Sequence, residues 1–118
     1  MPKSTYSVAW VVWLQAAILI ILFFTPGDLY NAVPVFIAQG YLLVTVSYYG
    51  DDYWAVRTAT TVHIAAAVAA VVAAYATAVS TYGAWEQGRA YIHLGIMLAV
   101  SLLMVGSSTH VLSHTKQD

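Results

Sequence analysis

The chain has 118 residues, of which 61% are hydrophobic and only 8% are Asp, Glu, Lys or Arg, with a formal net charge of −1. A soluble domain carries roughly 25% charged residues, so there is too little charge to clothe the outer faces of a bundle in water. Four basic residues neutralise too few phosphates for a nucleic-acid partner, and the absence of cysteine excludes disulfides, thiolate metal sites and a cysteine nucleophile.

The nine charged residues are Lys3, Asp28, Asp51, Asp52, Arg57, Glu86, Arg89, Lys116 and Asp118, and they leave charge-free windows at 4–27, 29–50, 58–85 and 90–115. Each window exceeds the roughly 20 residues a helix needs to cross about 30 Å of hydrocarbon. Within them, AILIILFF (17–24) and IAAAVAAVVAA (64–74) are apolar around the whole helix. The fold class expected is all-α: an integral membrane four-helix bundle with four transmembrane helices running up-down-up-down, a single domain over residues 1–118.

The first helix is expected at 6–24, stopped by Thr25-Pro26-Gly27, since proline and glycine both end helices. It ends in FFTPGD where a signal peptide would have a small-residue cleavage site, so it reads as a span. The second is expected at 32–49, with Asn31 as its cap and Pro34 tolerated in the first turn. The third occupies 53–81 and stops before Gly83; the fourth occupies 85–113.

Tryptophan and tyrosine concentrate where hydrocarbon meets headgroups. Four crossings place Tyr6, Trp10, Trp13, Tyr48, Tyr49, Tyr53 and Trp54 on the side of both termini, and Tyr30, Tyr82, Trp85 and Tyr91 on the other. Lys3, Arg57 and Lys116 against Arg89 alone point to both termini in the cytoplasm.

Ala66, Ala70, Ala74 and Ala78 recur every four residues along the third helix, and Gly95, Ala99 and Gly106 share nearly one face of the fourth. Membrane helices associate by close backbone approach at small residues, so helices three and four are expected to pack along these strips. Gln15 and Gln39 fall within about one turn in depth when the first hairpin is folded at Asp28. An unpaired amide in hydrocarbon costs several kcal/mol, so the two are expected to bond to each other or to a neighbour, with a quinone or substrate contact as the alternative.

His63 lies on the alanine strip and points at another helix, at the depth of Ser107 and close to His110. Two readings stand: a hydrogen-bonded interface residue, or His63 and His110 as axial ligands of one b-type haem or a copper or zinc site. Thr60, Ser107, Ser108 and Thr109 could then orient the rings. His93 shares a face with Met97 and Met104 and is a further candidate ligand, while His110 and His114, one turn apart, mark a helix surfacing or a metal clamp.

No Asp, Glu, Lys or Arg lies at mid-depth in any span, where ion-coupled transport needs one, and no catalytic constellation is visible. The function expected is that of a non-catalytic hydrophobic structural subunit. Its small-residue faces would dock on copies of itself or on other membrane subunits, in a respiratory-type complex or a self-assembling lipid-associated shell. The alternatives are a haem b or quinone-binding electron-transfer subunit using His63, His110 and His93, and a small oligomeric channel or carrier.

Overall fold

The computed structural model describes residues 3–24 and 32–114, and among them it contains four α-helices and no strand. They are α1 (Lys3–Phe23), α2 (Val33–Tyr49), α3 (Tyr53–Ser80) and α4 (Ala84–His114). The predicted stop at Thr25-Pro26-Gly27, the Asn31 cap, the Asp28 fold point and the belt residue Tyr30 lie outside the described residues, as does Lys116. By length and composition, α3 (28 residues) and α4 (31 residues) can each cross a membrane, whereas the apolar stretches Ala9–Phe23 and Val33–Tyr49 are shorter.

Local chemistry sets the turns. Asp52 caps α3, its carboxylate accepting from the backbone N–H groups of Trp54 and Ala55, both at 3.1 Å. This satisfies two donors that a helix start otherwise leaves unpaired. Between α3 and α4 the chain reverses through Gly83, which takes a φ of 94°, a left-handed conformation open to glycine without steric cost. Its carbonyl then accepts the first bond of α4, from Gln87 N at 2.9 Å.

Each helix packs on its chain neighbours, and α1 against α4 closes the ring. Successive helices run antiparallel, as two apolar clusters show. Val11, Val12, Leu42, Val46, Val56, Ala59 and Val111 gather toward the end where α1 starts and α4 finishes. Leu19, Leu22, Ala32, Val35, Ala67, Ala70, Ala74, Met97 and Met104 gather toward the other. Buried positions alternate three and four residues apart: 12, 15, 19 and 22 in α1, 35, 39, 42 and 46 in α2, 56, 60, 63, 67, 70 and 74 in α3, and 97, 101, 104, 108 and 111 in α4. That spacing is the seam of a left-handed bundle.

The predicted α3 strip lies on this seam, with one shift in phase. Ala70, Ala74 and Ala78 are buried together with Ala67, and Ala66 is half-buried beside them. The predicted match on α4 is corrected. Gly95, Ala99 and Gly106 are exposed, and a methyl group added at either glycine would meet nothing within 4 Å. They stand two residues, about 200° around the helix, out of phase with the true inner face of Met97, Ser101, Met104, Ser108 and Val111. Long unbranched methionine fills the space left by alanine on α3, and the Ser101 hydroxyl donates to the Ala67 carbonyl at 3.1 Å.

Ala70→Leu should therefore overpack the α3–α4 seam and lower stability by about 1–3 kcal/mol in denaturation of the purified protein. Ala69→Leu, on the exposed side of the same helix, should change it by no more than about 0.5 kcal/mol.

Candidate functional site

Between the two apolar clusters lies a layer of polar side chains, one from each helix: Gln15 (α1), Gln39 (α2), His63 (α3) and Ser108 (α4), all buried. One backbone carbonyl orients the set. Gln39 Nε2 donates to the Val12 carbonyl at 3.0 Å, which only the nitrogen end of that amide can do. Its other hydrogen goes to Gln15 Oε1 at 3.3 Å. Gln39 Oε1 is thereby turned to His63 Nε2, 2.6 Å away, so Nε2 carries a proton and donates it.

The ring also has to be neutral, because the charged residues with described side chains, Asp51, Asp52, Arg57, Glu86 and Arg89, are all exposed, and a buried imidazolium without a counter-charge is costly. His63 Nδ1 is then an acceptor, and the Ser108 hydroxyl, 2.8 Å away, donates to it. Ser108 Oγ accepts in turn from Gln15 Nε2 at 3.0 Å. Four bonds thus close a circuit in which every donor points the same way round: Gln15 to Ser108 to His63 to Gln39 and back to Gln15. The second hydrogen of Gln15 Nε2 goes to Ser107 Oγ at 2.7 Å, and the Ser107 hydroxyl donates to the Leu103 carbonyl at 2.6 Å.

The expected contact between Gln15 and Gln39 is thus present, and each amide has a further partner on α3 or α4. The structure does not bring His63 and His110 together. His110 is exposed, two residues and about 200° around α4 from Ser108, which is the residue facing His63. Both nitrogens of His63 are occupied, so the ring offers no lone pair to a haem iron or another metal while the circuit is closed. His63 and His110 do not fit as a ligand pair.

Of the hydroxyls near these histidines, Ser108 orients His63, whereas Thr60 and Thr109 donate to their own helix at Val56 and Val105. His93 is half-buried, and its Nε2 is buried with no hydrogen-bond partner. It stands 15 residues before Ser108, about 22 Å away along α4, so it does not share a quinone site with Gln39, whose amide is fully engaged. Among the described residues, no group of three or more His, Cys, Asp or Glu is placed to hold a metal ion.

The donors and acceptors of the circuit are consumed by one another, and its serine is bonded through His63 to the Gln39 amide, with no carboxylate in the circuit. The sequence offered Ser108 as one of four hydroxyls able to orient a histidine ring; what singles it out is its place in the 97, 101, 104, 108, 111 seam.

Removing one member leaves its two neighbours in the circuit each a bond short, at about 1–3 kcal/mol. Ser108→Ala and His63→Leu should each destabilise by that amount in detergent unfolding, and the double variant by clearly less than their sum. Nitrogen NMR of histidine-labelled protein should show one imidazole protonated at Nε2 and bare at Nδ1, a signal lost in His63→Leu. No protein-family model matches the chain, and neither a curated protein nor a solved structure does.

Proposed function

We propose that the chain is an integral membrane protein that crosses the bilayer four times and serves as a non-catalytic structural subunit. It packs through small-residue helix faces against copies of itself or other membrane subunits, in a respiratory-type complex or a lipid-associated shell. The observation that carries this reading is the radial placement of polarity. Large aliphatic and aromatic side chains face outward along every helix, among them Ile20, Ile21 and Phe23 on α1, Ile37 and Val44 on α2, Val68 and Val72 on α3, and Leu98, Leu102 and Leu103 on α4. The interior, besides its two apolar clusters, holds Gln15, Gln39, His63, Ser101 and Ser108. Water would favour the reverse arrangement, whereas in lipid only the polar groups have reason to turn inward.

Trp10, Trp13, Tyr48, Tyr49 and Trp54 toward one end, and Tyr82, Trp85 and Tyr91 toward the other, are outward-facing, as interfacial belts require. At 17 residues, α2 is about 25 Å long, a mismatch that local bilayer thinning accommodates at modest cost. Lys3, Arg57 and Lys116 place both termini in the cytoplasm on this reading. The outward strip of Gly95, Ala99 and Gly106, unused within the chain, supports assembly through close helix approach.

In membranes from an expressing cell, the protein should resist high-salt and alkaline extraction and be released by mild detergent as a particle larger than one chain. Gly95→Leu with Gly106→Leu should reduce that particle to the single-chain mass while the His63 NMR signature is kept. A monodisperse species in plain buffer overturns the membrane reading; single-chain mass for the unmodified protein in every mild detergent overturns assembly.

A further inference from the structure

The structure assigns a second role to the last turn of α4: we propose that His110 and His114 together chelate a divalent transition-metal cation, with copper(II) held most tightly. Both residues are exposed. They stand one helical turn apart, and their rings lie face to face with centroids 4.0 Å apart and planes inclined by 29°.

The backbone fixes which nitrogen of His114 is free. Its Nδ1 lies 2.9 Å from the His110 carbonyl, an acceptor, so the proton sits on Nδ1 and the lone pair on Nε2. Ser113 supports this arrangement, its hydroxyl donating to the same carbonyl at 3.0 Å while its oxygen stands 3.1 Å from His114 Nδ1. A metal-binding histidine is commonly held in this way, its second nitrogen tied to a carbonyl that sets both tautomer and orientation. Chelation requires the His110 ring to leave this stack, and its χ2, a soft torsion, is the coordinate for that movement.

The donor set selects the metal. No third His, Asp or Glu completes a cluster there among the described residues, so water fills the remaining positions, and the closed tetrahedral set of a structural zinc site is not supplied. For an open site of two imidazoles, affinity among divalent ions peaks at copper, whose tetragonal preference suits two adjacent nitrogens and waters. A cation at this point also opposes the partial negative charge at the C-terminal end of α4. The other histidines do not compete: both nitrogens of His63 are bonded, and His93 is 17 residues away, about 25 Å along the helix.

The test is titration of the full chain in detergent micelles with copper(II) sulfate against a chelator of known affinity, with electron paramagnetic resonance of the bound ion. One copper(II) per chain is expected, with hyperfine structure from two imidazole nitrogens, and weaker binding of nickel(II) and zinc(II). The second imidazole binds intramolecularly, so H110Q and H114Q should each weaken copper binding by about a hundredfold. Both positions are exposed, so circular dichroism should show the helices intact; H93Q should bind as the unmodified protein does. Wild-type affinity in either H110Q or H114Q, fewer than two imidazole nitrogens in the spectrum, or no copper retained against the chelator would overturn the proposal.

Discussion

A buried amide or imidazole in apolar surroundings must have its donors and acceptors occupied, because no water is there to take the remainder. In this bundle four such groups meet that requirement together, and the Val12 carbonyl decides the sense of the whole circuit. It fixes the Gln39 amide, which fixes the proton on His63. The histidine then dictates the direction of the Ser108 hydroxyl, and the serine receives Gln15. With one member on each helix, the circuit also sets register. Sliding any helix by one residue turns its member by about 100° and leaves its two neighbours in the circuit each a bond short.

The magnitudes assign the circuit to specificity more than to net stability. On the proposed membrane reading, hydrogen bonds between helices average about 0.6 kcal/mol each, so four closed bonds contribute little beyond the packing around them. An open member costs about 1–3 kcal/mol, so alternative registers are penalised far more than the native one is favoured. The packing is supplied by small residues. Ala67, Ala70 and Ala74 bring α3 close to α4, and Met97 and Met104 occupy the space this leaves. Apolar clusters thus flank the polar layer on both sides and keep it dry.

Much of this architecture was legible in the residues themselves. The spacing of nine charges placed four helices in the order the structure shows, and counting depth from the first turn paired Gln15 with Gln39. Depth also brought His63 level with Ser107. What failed was the choice of face on α4. His110 was matched to His63 for its chemistry, although Ser108 occupies the inner position. The glycine strip was matched to the alanines for its size, although Met97, Ser101 and Met104 hold the seam. Both errors have one cause: Gly95, Ala99, Gly106 and His110 keep helical spacing among themselves but stand two residues out of phase with the seam of Met97, Ser101, Met104 and Ser108. The Asp52 cap went unread, although an acidic residue just before Tyr53 carries its signal. By contrast, the bond from Gln39 to Val12 was not readable, since it depends on a backbone carbonyl that carries no side-chain signature.

The central claim is that lipid, not water, lies against the aliphatic exterior while the polar circuit faces inward. Solid-state NMR of the protein in bilayers tests it most directly, by following polarisation from acyl-chain protons and from water into assigned side chains. Ile21, Val44, Val72 and Leu102 should receive acyl-chain polarisation well before any from water, with Gln15, Gln39 and His63 reached only later, through the protein. Water polarisation arriving first at those four aliphatic residues would contradict the inverted arrangement on which the fold and the proposed role both rest.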